Sequence, residues 1–211
     1  ITIYPIKLLL INGRKPYHHK VLQIMFQTRL GGNNEKIGVI LGSIKDKSFS
    51  KYLAKAMLPF FPEDIQVSLS CIEGLSLFDP DIDKEGADQF LVTTLDEHSR
   101  PRLIIPEYNQ TLPAALKNAI EVGPRPYQQV AFSGKTAMII SQSNDRLDGF
   151  GQALVKTKFD FFNVPVTLQA EIFLVHIHTL VNDQSDFIDA SAAQSLAEAT
   201  QAFLDFAQWL M

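Results

Sequence analysis

The chain has 211 residues, 46% of them apolar and 20% charged, so it can build a sizeable core and falls outside the disordered class. Its formal net charge of -4 leaves no general electrostatic pull toward nucleic acid or anionic lipid, so neither is expected as a partner. The single cysteine, Cys71, excludes an intrachain disulfide and a Cys-rich zinc site and fits a reducing, cytoplasmic compartment, and no apolar run reaches the roughly 20 residues of a transmembrane helix.

The charge is unevenly placed. Residues 1–34 carry Lys7, Arg14, Lys15, Lys20 and Arg29 without any Asp or Glu, and the remainder holds 14 basic and 23 acidic residues, a net of -9. A basic, acid-free start has the composition of a transit peptide. It also suits an upstream extension with no role in the fold, because the chain begins with Ile1 and Met25 precedes the first strand. Residues 1–34 are therefore expected to be a basic extension, either disordered, non-native or a targeting segment. The break Gly31-Gly32-Asn33-Asn34 separates it from one domain spanning 35–211.

The domain alternates strands and helices. Lys36 to Leu41 is a short apolar run that reads as a buried parallel strand. Ser48 opens a helix with Phe49, Leu53, Met57 and Phe60 on its buried face, stopped by Pro62. Gln66 to Ile72 alternates as a second strand, which makes Cys71 a small core residue. Asp88 to Glu97 reads as a weak helix, and Arg102 to Ile105 as a third strand cut off by Pro106. Leu112 to Val122 is a helix with Pro113 in its first turn, where proline is tolerated. Lys135 to Ser141 is a fourth strand, Gly149 to Phe162 a helix and Val166 to Val175 a fifth strand. Ala190 to Leu210 is the last helix, with Leu196, Phe203, Phe206 and Leu210 facing inward. Such alternation predicts a five-stranded parallel sheet covered on both faces, with right-handed crossovers. The order 2-1-3-4-5 is a common solution, and it places ligands beyond the carboxyl ends of the strands, between the first and third.

The loop after the first strand, Gly42-Ser43-Ile44-Lys45-Asp46-Lys47-Ser48-Phe49-Ser50, joins a buried strand to a helix start. Free helix amides, three hydroxyls and two lysines make a phosphate cradle built without glycines. Ser48 as a simple N-cap in a polar turn explains the same residues, and the loop alone does not choose. It does not match G-x-G-x-x-G, which argues against a dinucleotide Rossmann site. Gly134-Lys135-Thr136 imitates the tail of a P-loop, but Gln129 stands where its first glycine belongs and a strand follows instead of a helix.

The turn after the third strand, Pro106-Glu107-Tyr108-Asn109, is followed by Leu116-Lys117-Asn118-Ala119. Together with GSIKDKSFS, Leu77-Phe78-Asp79 and Ser141-Gln142-Ser143, in this order over roughly residues 35–210, these segments resemble the NADPH-dependent FMN reductase family. That family includes chromate, quinone and azo-dye reductases of flavodoxin-like fold. The resemblance implies a three-layer α/β sandwich of that type. It also implies FMN as cofactor and NADPH or NADH as co-substrate. Ser43, Lys45, Ser48 and Ser50, with Phe49 among them, would hold the phosphate. Pro106, Glu107, Tyr108 and Asn109 would border the isoalloxazine, largely through backbone groups, with Tyr108 as part of an aromatic wall. Ser141, Gln142 and Ser143 would line the opposite side. The flavin carries the hydride chemistry, so no catalytic acid–base pair is expected. The implied activity is ping-pong reduction of a small acceptor: a quinone, azo compound, metal oxyanion or free flavin. Self-association to a dimer or tetramer is implied as well, with Arg125 and Tyr127 near the contact. The alternatives are a non-catalytic flavin-binding or interaction module and an electron-transfer flavodoxin.

The sequence departs from the family pattern at several points. Lys45 replaces an arginine, keeping the charge and losing the bidentate fork. Ser50 replaces an asparagine, the stretch from Asp83 to Pro106 is short, and Glu121-Val122-Gly123 stands where a tryptophan is usual. The serine-rich loop lacks its glycine and has Asn144 or Asp145 there, residues that tolerate left-handed backbone. His176 and His178, two apart on an expected strand end, form either a metal pair or two exposed histidines. With no third ligand in sight, no metal is expected.

Overall fold

The computed structural model describes residues 36–81, 100–123, 132, 135–145, 149–167 and 171–210. The expected helix over 88–97, the basic extension 1–34, and Arg125 and Tyr127 lie outside the described residues.

Five strands form one parallel sheet: β1 (Lys36–Leu41), β2 (Gln66–Cys71), β3 (Arg100–Pro106), β4 (Met138–Gln142) and β5 (Ile172–Leu174). Their order is β2-β1-β3-β4-β5, as expected. The register runs Lys36↔Gln66 to Leu41↔Cys71, Ile37↔Arg100 to Leu41↔Ile104, Arg102↔Met138 to Pro106↔Gln142, and Ile140↔Ile172 to Gln142↔Leu174. Alternation along each strand sends side chains to opposite faces. Ile37, Val39, Leu41, Ile104, Met138 and Ile140 pack on one face, under α1 (Phe49–Met57) and α5 (Ala190–Trp209). Ile40, Ile105 and Ile139 pack on the other, under α2 (Ala114–Val122) and α3 (Phe150–Phe161). Two apolar faces explain why the central strands read as apolar runs, whereas β2, at the sheet edge, alternates. Glu121 of α2 joins the two helices of this second face by accepting from Lys158 of α3 at 2.9 Å, with Lys117 at 3.4 Å. Lys158 first, and Lys117 after it, hold the Glu121 carboxyl below its ordinary range.

Several expectations need correction. α2 begins at Ala114, with Pro113 as its N-cap rather than in its first turn, and β4 is regular only from Met138 rather than from Lys135. The first helix stops at Met57, and Leu58–Phe60 tighten into a 3-10 turn. The breaker is Pro59, one residue into that turn, rather than Pro62, because proline has no amide to donate back. Phe60 is half-buried and stacks on Phe187, with ring centres 5.5 Å apart. Cys71 is exposed at the carboxyl end of the edge strand β2, although Val67 and Leu69 on the same face pack on the core. Leu210 lies beyond the last turn and is exposed, whereas Leu196 and Phe203 are buried and Phe206 is half-buried. The fifth strand is regular only over Ile172–Leu174. Val166 makes one isolated bridge to Ala137, and a short helix, α4 (Ile177–Leu180), follows directly.

Asp189 caps α5, accepting from the Ala192 amide and from the Ser191 hydroxyl, each at 2.7 Å. The Ala192 amide foremost, then Ser191, lower its carboxyl below the usual value. A lowered native value means that the cap stabilises the fold above about pH 4 and loses that contribution as the pH falls through the native value. Asp189→Ala is therefore expected to lower the thermal midpoint at pH 7. In paired melts the gap between variant and parent should close as the pH drops below about 4.

Candidate functional site

The loop after β1 leaves the sheet while still tied to it. The Gly42 amide donates to the Ile104 carbonyl at 2.9 Å. A Cβ at Gly42 would stand 2.9 Å from that oxygen, from Leu116 Cδ2 and from Pro106 Cδ, so only glycine allows the approach. Ser43 is buried, and its Oγ accepts from the Lys45 amide at 3.3 Å, curling the loop. Ile44, Lys45, Asp46 and Lys47 are exposed. Ser48 is the N-cap of α1: its backbone is extended and its Oγ accepts from the Lys51 amide at 3.3 Å. The capping role and a cradle role are compatible, because the Ser48 hydroxyl hydrogen and the amides of Phe49 and Ser50 have no acceptor within the helix. No acid occupies the first turn of α1. Asp46 faces Lys51 at 3.6 Å, and among the described residues neither Lys45 nor Lys47 meets a carboxylate. The α1 start thus carries unmatched positive charge.

The turn after β3 arrives at the same corner. Glu107 extends the sheet by donating its amide to the Gln142 carbonyl at 3.1 Å. Tyr108 and Thr111 exchange backbone hydrogen bonds at 3.1 and 3.0 Å. Between them Asn109 and Gln110 are both left-handed, with φ of 51° and 60°, the geometry of a tight mirror-image turn. Tyr108 is half-exposed, and its Oη lies 3.4 Å from Ser43 Oγ, a hydrogen bond that joins the two turns 65 residues apart.

The end of β4 sits behind both. Ser50 is fully buried and accepts from Gln142 Nε2 at 3.2 Å; Gln142 is only 5% exposed. These two residues strut α1 against β4. Ser141 is fully buried, and its Oγ has no partner among the described residues. Ser143 is half-buried. Its amide donates to the Leu174 carbonyl at 2.9 Å, its carbonyl accepts from Ile177 at 3.0 Å, and its Oγ accepts from Asp145 at 3.3 Å. Phe49 is half-buried and meets Tyr52 edge-on at 5.8 Å. Neither Asn144 nor Asp145 is left-handed; Gly149, φ 78°, is, as is His176, φ 51°, whose Nδ1 is 3.1 Å from the Asn144 carbonyl. The His176 and His178 rings are 6.1 Å apart, and no group of three possible metal ligands occurs among the described residues.

One positioned residue has no forecast in the periodicity. Asn118 of α2 accepts from the Phe78 amide and donates to the Ser76 carbonyl, both at 2.8 Å. A single side chain thereby clamps the loop after β2, which explains why a carboxamide sits in the Leu-Lys-Asn-Ala stretch. An apolar depression of about 250 Å³ opens beside the clamp, lined by Ile44, Leu75, Leu77 and Ala115.

These residues fit a phosphorylated, flat cofactor. Hydroxyls, ammonium groups and helix amides suit a phosphate, not a metal. The glycine-gated approach of β1 to β3 and the exposed turn carrying Tyr108 leave a border for a ring. Because Ser50 and Gln142 are mutually satisfied, Ser50→Ala strands a buried amide and is expected to cost about 1–3 kcal/mol in denaturant unfolding. The double variant Ser50→Ala/Gln142→Leu, which removes both polar groups, should recover part of that loss.

Known proteins place the same reading in context. The sequence model for "NADPH-dependent FMN reductase" matches residues 35–179. A quinone reductase of Pseudomonas putida is 31% identical over 179 residues, covering 82% of this chain and 94% of that one. The structure of a flavoenzyme NAD(P)H:(acceptor) oxidoreductase from Paracoccus denitrificans superposes with a TM-score of 0.73 at 23% identity, over 83% of this chain and 98% of that one. An oxidised flavodoxin from Bacillus cereus superposes with a TM-score of 0.53 at 11% identity, over 81% and 98% of the two chains. The last two establish the flavodoxin-like fold, and the extent of the sequence match establishes the rest: this chain belongs to the NADPH-dependent FMN reductase family.

Proposed function

We propose that the protein is an FMN-dependent NAD(P)H:acceptor oxidoreductase that reduces quinones, with azo compounds, metal oxyanions and free flavin as further acceptors. The observation that carries this is the meeting of the loop after β1 with the turn after β3, where Ser43 Oγ and Tyr108 Oη stand 3.4 Å apart. Bound FMN supplies the hydride chemistry. The protein's own residues bind and orient. The α1 amides, Ser43, Lys45 and Ser48 neutralise the phosphate, while buried Ser50 holds the helix start in place through Gln142. The turn Pro106–Asn109 borders the ring with backbone groups, and Ser141 to Ser143 back it from the end of β4. Phe49 shields the phosphate end by packing on Tyr52.

No side chain has to move a proton in this scheme, which agrees with a site of hydroxyls, lysines and backbone. One open face used first by NAD(P)H and then by the acceptor makes the kinetics ping-pong. Self-association to a dimer or tetramer belongs to the proposal, supported by Phe150, Leu154 and Phe161, which are exposed along one stripe of α3. Among the described residues no helix is long and apolar enough to cross a membrane. A lone cysteine suits the reducing cytoplasm, where we place the enzyme.

The purified protein should carry a yellow chromophore, or take up added FMN, and should oxidise NADPH or NADH with a benzoquinone. Initial-rate plots at several quinone concentrations should be parallel. Absence of flavin uptake together with absence of turnover overturns the proposal, and intersecting plots overturn the ping-pong order. Lys45→Ala/Lys47→Ala should weaken FMN binding about tenfold or more at low salt, a difference that narrows at 1 M salt.

A further inference from the structure

Among the described residues, no side chain of its own segment caps the start of α3. Its N-cap is Gly149, left-handed at φ 78°, which offers no side chain, and no acid lies in its first turn. The first-turn amides of a helix need acceptors, and its positive end favours an anion. Here the acceptor comes from 44 residues away: Glu107 Oε2 receives the Gly151 amide at 3.4 Å. The same residue's amide is bonded to the Gln142 carbonyl at 3.1 Å. Glu107 therefore grips the end of β4 with its backbone and the start of α3 with its side chain. The helix start also packs against the turn. A Cβ on Gly151 would stand 3.6 Å from Glu107 Oε2, Leu112 Cδ2 and the Thr111 carbonyl carbon, ordinary contact distance. On the sheet side, Gln152 Nε2 donates to the Ile139 carbonyl at 3.4 Å, so the first turn of α3 is held from two directions.

We infer that the Glu107 carboxylate is a positioning residue: it caps α3 in trans and locks the Tyr108–Thr111 turn to the segment that follows β4. It is half-buried and bonded to the helix start, so its side chain serves the turn's placement. The tie stands on geometry alone. Its consequence for flavin rests on the proposed function, since the turn it holds is proposed to border the ring, and the helix it holds follows the Ser141–Ser143 loop proposed to back it.

The test separates the two. Amide hydrogen exchange on flavin-free protein reads the tie directly. The Gly151 amide should be protected in the parent, should exchange about tenfold faster or more in Glu107→Ala, and should stay near the parent rate in Glu107→Gln, which keeps an acceptor oxygen. Glu107→Asp, one methylene shorter and milder for folding, should behave like the alanine variant. Equal Gly151 exchange in parent, alanine and aspartate proteins overturns the tie. FMN titration and the visible circular dichroism of the bound flavin read the consequence. Affinity should fall about tenfold in Glu107→Ala, with an altered flavin spectrum, and recover in Glu107→Gln. Faster Gly151 exchange with unchanged flavin affinity and spectrum overturns the positioning role. A parent protein that takes up no FMN overturns the proposed function, and the exchange data then still decide the tie.

Discussion

Between β1 and β3 the chain turns two ways. The segment after β1 goes to α1 on one face of the sheet, and the segment after β3 goes to α2 on the other. A crevice must open where the two loops part. One bond, Gly42 to the Ile104 carbonyl at 2.9 Å, carries β1–β3 contact into the loop itself. The glycine is obligatory, because any Cβ would strike the backbone oxygen, Leu116 and Pro106 at once. Ser43, Tyr108 and the α1 amides meet at one corner because this approach is so close.

The corner is rigid for polar reasons as much as apolar ones. Ser50 with Gln142, Glu107 with Gly151, and Asn118 with the backbone of 76–78 each join two segments distant in sequence. Such bonds contribute modestly when made and cost more when one partner is lost, because the remaining group is left dry. They divide the labour with the exposed residues. Lys45, Lys47 and Tyr108 face outward, where a ligand can reach them, while Ser50 and Gln142 lie inside and keep the outer groups in place.

The departure at Lys45 fits this arrangement. An arginine fork would fix a phosphate by two parallel bonds; a lysine acts as a point charge on a flexible stem. The α1 start makes up the geometry with fixed amides and the Ser48 cap, so the charge need not also supply direction. In the proposed cradle, electrostatic attraction and oriented donors come from different residues.

Composition and period alone determined the architecture. Mostly apolar strands alternating with amphipathic helices can bury their surfaces in few ways other than a parallel sheet between two helical layers; order 2-1-3-4-5 was one common solution, and the family resemblance singled it out. Local chemistry also placed the Ser48 cap and the Pro106 strand end, since those depend on neighbours in the chain. Tertiary contact decided the rest. Cys71 sits on an edge that only the strand order reveals, and Pro59 broke α1 before Pro62 could. Among the described residues left-handed backbone falls on Asn109, Gln110 and His176, among others, and not on Asn144 or Asp145. The roles of Ser50, Asn118 and the Glu107 carboxylate were hidden for one reason. Each bonds a group 40 or more residues away, and no periodicity in a sequence records which distant amide or carbonyl the fold will bring within 3.5 Å.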